Sequence, residues 1–92
     1  MSIEMLEIVQ TKKFKKDFKK YQHNKKVIEE LDNVLDFLER QKSLPRKYKD
    51  HSLSGKYVDA RDCHILNDVV LIYRISTECI FLESIGSHSE LF

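Results

Sequence analysis

Five side chains that can exchange or hold a proton lie in the C-terminal half of the sequence, in four separate segments. They are His51, Asp62, His64, Asp68 and His88. Histidine can gain or lose a proton near neutral pH, and two or three imidazoles beside carboxylates suit general acid–base catalysis. A set of this kind could cleave RNA without a metal ion, provided that the fold brings its members together.

The spacing of Asp62 and His64 favours such convergence. They are two residues apart on a predicted strand, so both side chains project from the same face. Arg61 and Cys63 then point to the opposite face. The other three residues of the set come from the loop before this strand, the turn after it and the tail beyond the last strand. We therefore expect one cluster of titratable groups, as in an active site.

Each of these residues also has a plain structural interpretation. Asp68 could simply stabilise its turn, and His64 could be a hydrogen-bonded histidine at a sheet edge. His51 could be a surface residue in a polar loop, and His88 could belong to a flexible tail. The sequence leaves these interpretations open beside the catalytic one.

A metal site is the main chemical alternative, since three histidines and two aspartates could bind zinc or manganese. The sequence has no H-x-x-x-H or H-E-x-x-H spacing, and Asp62-x-His64 alone is a weak signal. It has no C-x-x-C pair either, which excludes a zinc ribbon. We expect Cys63 and Cys79 to be buried free thiols, and we predict neither a metal nor another cofactor.

The N-terminal half predicts one strand and two helices. Ile3–Gln10 is short, apolar and partly β-branched, which indicates the strand. Thr11 can cap the first helix, and Asn24 can cap a second that spans residues 25 to about 42 and stops before Pro45. The apolar residues at helical spacing are Phe14, Phe18 and Tyr21 in the first helix, and Val27, Ile28, Leu31, Val34, Leu35 and Leu38 in the second.

The C-terminal half predicts a loop and three strands. The loop covers residues 43–56, the strands are about Tyr57–Leu66, Val69–Ile75 and Glu78–Ile85, and turns lie at residues 67–68 and 76–77. The order β-α-α-β-β-β predicts one α+β domain over residues 1–92, with an antiparallel sheet and two N-terminal helices packed on one face. The other face would be a partly open binding surface.

The basic residues are concentrated in the N-terminal half. Residues 1–50 carry 13 basic and 9 acidic side chains, and residues 51–92 carry 3 and 6. A cluster of this kind is a candidate footprint for a polyanion, although a solvated helix face has the same composition. The candidate RNA contacts are Lys12, Lys13, Lys15, Lys16, Lys19, Lys20 and Arg61.

Targeting and membrane segments are not evident. No apolar run approaches the roughly 18 residues of a membrane span. The N-terminal segment MSIEMLEIVQ lacks the basic region, apolar core and cleavage site of a signal peptide. We therefore expect a cytoplasmic protein without a membrane partner.

Five short motifs, in order, resemble the YafQ-type toxins, a branch of the RelE/ParE superfamily. They are YKDHSLSG (48–55), RDCH (61–64), the apolar strand ending in IY (71–73), GSH (86–88) and the terminal LF (91–92). With the lysine-rich N-terminal helices, the resemblance covers essentially the whole chain. One departure is Ser52, where many relatives have proline.

The resemblance implies a RelE-like fold and a toxin of a type II toxin–antitoxin pair. Members of the family are metal-independent endoribonucleases that cut mRNA in the ribosomal A site, so the expected partners are a cognate antitoxin, mRNA and the 70S ribosome. Their functional residues correspond here to His51, Asp62, His64, Asp68, His88 and Phe92. Phe92 could stack on a nucleobase.

The chemistry of RNA cleavage suggests roles for these residues. His51 or His64 would remove the proton of a 2′-hydroxyl, and His88 would protonate the leaving 5′-oxygen. Asp62 and Asp68 would hold the imidazole tautomers or raise their pKa. Three alternatives remain at this point: a gyrase-poisoning branch without this cluster, a non-catalytic RNA- or ribosome-binding module, and a degenerate toxin that only binds its antitoxin.

Overall fold

A computed structural model describes residues 5–92 of this protein. The strands are β1 (Glu7–Gln10), β2 (His51–Ser52), β3 (Arg61–Leu66), β4 (Val69–Ile75) and β5 (Cys79–Gly86). They form one five-stranded sheet in the order β1-β5-β4-β3-β2. The helices are α1 (Lys12–Phe18), α2 (Lys25–Glu39) and α3 (His88–Leu91). Two short 3-10 turns lie at Arg46–Tyr48 and Gly55–Tyr57.

The first two helices begin where the sequence predicts them. The Thr11 side chain accepts a hydrogen bond from the Phe14 backbone N–H, and Asn24 accepts one from Val27. Each cap satisfies a backbone donor that has no partner inside its helix. The second helix is shorter than predicted and ends at Glu39, because Gln41 adopts a positive φ of 58° that a right-handed helix does not accommodate.

The sheet is mixed rather than wholly antiparallel. β2, β3, β4 and β5 pair antiparallel in chain order, but β1 pairs parallel with β5. The antiparallel pairing of β3, β4 and β5 was predicted, whereas β2 was not predicted as a strand. Short turns force neighbouring strands to reverse, whereas the long crossover through two helices leaves the direction of β1 free. The start of the predicted first strand, residues 3–4, lies outside the described residues.

Two boundaries in the C-terminal half also differ from the prediction. The third strand begins at Arg61 instead of Tyr57, because residues 55–57 form a 3-10 turn in which Gly55 has a φ of +66°. The predicted loop 43–56 contains the two-residue strand β2, which extends the sheet at its edge.

Both faces of the sheet are covered, but unequally. α1 and α2 pack on one face over the main core, which includes Leu71 and Tyr73. On the other face Leu91 of α3 packs on Ala60, Val70 and Ile72. The predicted open face is therefore partly closed by the C-terminal segment, beside the strand that carries Asp62 and His64. Within the described residues, no helix is both long and apolar enough to cross a membrane.

Candidate active site

The short ladder between β2 and β3 brings His51 to Asp62. These residues are paired across the ladder, and His51 Nδ1 lies 3.1 Å from Asp62 Oδ1. The same Nδ1 lies 2.9 Å from the carbonyl oxygen of Lys49. Both neighbours are oxygens that can only accept from a nitrogen, so Nδ1 carries the proton and Nε2 is left free. His51 is therefore fixed in the tautomer that presents a proton acceptor to solvent.

Asp62 is the buried carboxylate of the site, with a side chain only 3% exposed. Its Oδ1 has no aligned hydrogen-bond donor among the described residues, so the approach of His51 Nδ1 is an electrostatic contact. Burial raises the pKa of Asp62, and the imidazoles around it oppose the rise. These are, in order of their effect, His51, His64 and His88. All three candidate histidines thus lie within electrostatic reach of one buried carboxyl group.

His88 is held by Asp68. Asp68 Oδ1 accepts the backbone N–H of His88 at 3.0 Å and lies 2.9 Å from its ring Nδ1. These bonds lower the pKa of Asp68, the backbone bond most strongly, so the carboxylate stays charged at neutral pH. Nδ1 again donates to an oxygen, which leaves Nε2 of His88 directed away for proton transfer.

Helix α3 orients His88 because its first turn is capped. The Ser87 side chain accepts the Glu90 backbone N–H, and the Glu90 side chain accepts the Ser87 N–H at 2.8 Å. This reciprocal capping box has the S-x-x-E pattern, a signal in the sequence that could have predicted the helix. Lys20 adds an ion pair to Glu90 at 2.8 Å, which ties α3 to the segment after α1.

His64 lies beside His88 on the same face. Their ring centroids are 5.0 Å apart at an interplanar angle of 59°. Burial and then the neighbouring His88 lower the pKa of His64, so that this imidazole is neutral at pH 7. A neutral imidazole can donate from one ring nitrogen and accept at the other.

Phe92 continues the row of rings, and Tyr57 holds it. The Phe92 centroid lies 6.1 Å from that of His88 and 5.6 Å from that of Tyr57, which meets it edge-on. The Tyr57 hydroxyl donates to the Leu91 carbonyl at 2.9 Å. Sequence reasoning missed Tyr57, since it was expected to begin a strand. Nothing in its local pattern indicates a contact with the C-terminus.

The candidate RNA contacts divide between two places. The six lysines are exposed on α1 and the residues just after it. Lys13 pairs with Asp17, and Lys20 with Glu90. Arg61 lies on the opposite face of the sheet from His64 and is bound to Asp50. RNA contacts by these residues therefore stay a prediction, and Arg61 is separated from the histidines by the sheet.

The described residues hold no group of three or more histidine, cysteine, aspartate or glutamate side chains with the geometry to bind a metal. Two of the three histidines contact different carboxylates instead, His51 with Asp62 and His88 with Asp68.

Comparison with protein families matches residues 6–92 to the family described as the bacterial toxin of type II toxin–antitoxin system, YafQ. The chain belongs to the YafQ family of toxins. The mRNA interferase toxin YafQ of Escherichia coli K12 is 34% identical over 80 residues, which cover 86% of this chain and 87% of that protein.

Solved structures of the family share the fold. A metal-bound toxin from Helicobacter pylori is 42% identical, with a TM-score of 0.86 over 96% of this chain and 100% of that one. YafQ in the Escherichia coli DinJ–YafQ toxin–antitoxin complex is 31% identical, with a TM-score of 0.83 over 96% and 98% of the two chains. The predicted YafQ-type α+β fold is thereby confirmed.

Proposed function

We propose that this chain is an endoribonuclease, the toxin of a type II pair, and that it cleaves mRNA on the ribosome through its own imidazoles. The observation that carries the proposal is that His51 and His88 are held in the same ring tautomer. In each ring Nδ1 is engaged by an oxygen, so that Nε2 is presented for proton transfer. A binding module or a degenerate toxin would not need two histidines fixed in this way.

The positions of the three imidazoles suggest a division of roles. In-line attack needs the base and the acid on opposite sides of the phosphorus, with a hydrogen bond of roughly 2.7–3.0 Å on each side. The rings of His64 and His88 are in contact, with centroids 5.0 Å apart, which leaves no room for a phosphate between them. His51, on the far side of Asp62, is the base in this scheme, and His88 is the acid.

The reaction then follows from transesterification of RNA. His51 Nε2 takes the proton of the 2′-hydroxyl, and the 2′-oxygen attacks the adjacent phosphorus. His88, as the imidazolium, gives its Nε2 proton to the 5′-oxygen as the bond to phosphorus breaks. The products are a 2′,3′-cyclic phosphate and a 5′-hydroxyl. Neutral His64 lies between His51 and His88 and donates to a phosphate oxygen. The Asp62 carboxylate balances the positive charge of the imidazole rings.

The remaining parts of the proposal concern partners and place. Phe92 stacks on a nucleobase next to the scissile bond, and the lysines of α1 contact ribosomal or messenger RNA phosphates. The DinJ–YafQ complex supports an antitoxin partner for this chain as well. A toxin with these targets acts in the cytoplasm, as one domain spanning the sequence, and needs no metal or cofactor.

The test is cleavage of end-labelled mRNA in a bacterial translation extract, with wild type and His88→Ala compared at the Mg²⁺ concentration that translation requires. We expect wild type to cut within the translated frame and to leave 5′-hydroxyl ends that polynucleotide kinase labels directly. Loss of the acid should slow cleavage by on the order of 10²–10⁴-fold. Equal cutting by both proteins, or products with 5′-phosphates, would overturn the mechanism. A folded wild type that cuts nothing would favour the binding module.

A further inference from the structure

A second cluster of polar side chains lies on the other face of the sheet, directly behind His51. Arg61 Nη2 donates to Asp50 Oδ2 at 2.9 Å, and its Nε lies 3.2 and 3.3 Å from the two oxygens of the same carboxylate. The Tyr73 hydroxyl donates to Asp50 Oδ1. Asp50 therefore receives donors on both oxygens, which is the strong, directional arrangement of a bidentate pair.

The network runs from the buried core to the surface. Tyr73 is 1% exposed, the Asp50 side chain is 23% exposed and the Arg61 side chain is 41% exposed. Burial, followed by the bond to Asp50, raises the pKa of Tyr73, and Asp50 raises the pKa of Arg61. The Tyr73 hydroxyl and the Arg61 guanidinium thus stay protonated, and remain donors, across the pH range in which the protein would work.

The network spans the strands that hold the catalytic pair. Asp50 precedes His51, Arg61 precedes Asp62, and Arg61 is paired with Tyr73 across β3 and β4. The three side chains therefore connect the start of the edge strand to the centre of the sheet.

The edge strand needs such a connection. β2 is only two residues long, and its ladder with β3 consists of two residue pairs, His51 with Asp62 and Ser52 with Arg61. The backbone enters this strand through Lys49 in the left-handed region, with a φ of 48°, and the carbonyl of Lys49 is the acceptor that fixes the tautomer of His51. A small shift of Asp50 would move that carbonyl and the imidazole together.

We propose that Asp50, Arg61 and Tyr73 form a positioning network that holds His51 over Asp62 from behind the sheet. The role of His51 as base rests on the function proposed above, whereas the control of its ring position and tautomer does not. Arg61 in this assignment acts through Asp50 and makes no contact with RNA.

The test uses Tyr73→Phe and Arg61→Gln in the full chain, with Arg40→Gln as the matched control. Arg40 forms an exposed ion pair with Asp36 on α2, so its loss removes an arginine and an ion pair away from the site. Two readouts are taken: the ¹⁵N and ¹H signals of the His51 ring, which report its tautomer, and steady-state cleavage. All variants are first checked for a cooperative thermal transition.

We expect Tyr73→Phe and Arg61→Gln to convert His51 from one tautomer to a mixture and to lower kcat about tenfold or more, with KM nearly unchanged. Arg61→Lys should recover only part of kcat, since lysine cannot make the bidentate bond. Arg40→Gln should match wild type. If Arg61 instead held RNA, Arg61→Gln would raise KM, weaken the salt dependence of binding and leave the His51 tautomer as in wild type, which would overturn the proposal.

The two proposals fail separately. If wild type cleaves nothing, the proposed function falls, but the His51 signals still decide the positioning. A tautomer that is the same in wild type, Tyr73→Phe and Arg61→Gln would overturn the positioning network whatever the activity. Should Arg61→Gln not fold, Tyr73→Phe removes one hydroxyl and keeps the ring in the core, and it decides the same question.

Discussion

Asp68 Oδ1 binds His88 twice, at the backbone N–H (3.0 Å) and at ring Nδ1 (2.9 Å). One carboxylate oxygen thus fixes both the start of α3 and the tautomer of the ring that the helix carries. The turn between β3 and β4 and the end of the chain are joined at this atom, so the geometry of the proposed acid depends on a residue 20 positions earlier.

Asp68→Asn tests this relationship. The amide oxygen has two lone pairs and can still accept both N–H groups, but it lacks the negative charge that strengthens both bonds. We expect kcat to fall by roughly tenfold to a hundredfold, with RNA affinity unchanged, because the ring of His88 loses its fixed orientation. Single-turnover cleavage and filter binding of a non-cleavable RNA measure the two quantities. A loss of affinity with kcat intact would show that Asp68 serves binding.

The imidazole of His64 should titrate below the ordinary histidine range. Burial lowers its pKa first, and the neighbouring charge of His88 lowers it further. NMR titration of the ring protons should therefore give a value below about 6.5, and His88→Gln should move it upward. A wild-type value above that reference, or no movement in the variant, would contradict the close contact of the two rings.

The lowered pKa of His64 also makes the free energy of unfolding depend on pH. The unfolded chain binds a proton at His64 more readily than the folded protein does, so this residue favours folding least at acid pH. Its contribution is retained above the ordinary value near 6.5 and is lost as the pH falls through the lowered folded value. Denaturant unfolding of wild type and His64→Gln between pH 5 and pH 8 should differ most at the acid end.

The pairing of Asp62 with His64 on one face is the part of the site that the sequence predicts best, since alternation along a strand is a strictly local property. The position of His51 was harder to predict from the sequence. It lies on a two-residue strand, which is too short to produce a periodic pattern, and it is held by a backbone carbonyl that has no signature in the side chains. Its closeness to Asp62 is a product of sheet pairing.

Other differences have equally specific causes. The chain between β1 and the C-terminal strands is long enough to allow either direction of pairing. The parallel pair of β1 with β5 was therefore not predictable from local patterns. Helix α3 was predictable from Ser87 and Glu90, but a four-residue helix at the chain end resembles a tail. The contact of Arg61 with Asp50 follows from strand alternation together with a loop position that only the folded chain defines.

Substitution of Lys20 tests whether its ion pair with Glu90 helps to position His88 or whether the lysine only attracts RNA. Glu90 has a pKa of about 2, mainly because Lys20 binds it, so this ion pair is lost only as the pH falls through that value and is intact near neutrality. Lys20→Gln should lower kcat by a small factor, about twofold to fivefold, because exposed ion pairs are weak. Lys16→Gln removes the same charge from α1, and the described residues include no ion pair for Lys16.

The two lysine variants should share any loss of RNA affinity and differ in kcat. Binding measured at several salt concentrations, together with single-turnover rates, makes the comparison. Identical kcat values for Lys20→Gln and Lys16→Gln would mean that the ion pair to Glu90 has no influence on His88. Unchanged affinity in both would remove Lys16 and Lys20 from the RNA contact surface.

Leu91 anchors α3 on the apolar residues of the sheet face that carries the candidate active site. It is 6% exposed and packs on Val70 and Ile72, while α3 carries His88 at its other end. Leu91→Ala should reduce the free energy of unfolding by about 2–3 kcal/mol, the lower part of the range for buried leucine, because a helix at the chain end can shift to fill the space. The same shift should displace His88 and lower kcat.

Leu31→Ala is the matched control for this prediction. Leu31 is 5% exposed on α2 and belongs to the main core on the opposite face, so its loss should cost a similar free energy without moving α3. Urea unfolding gives the two stabilities, and kcat is measured well below either transition. A large loss of kcat in Leu91→Ala with wild-type kcat in Leu31→Ala would establish that packing under α3 positions the proposed acid. Equal losses in both would assign the effect to reduced stability alone.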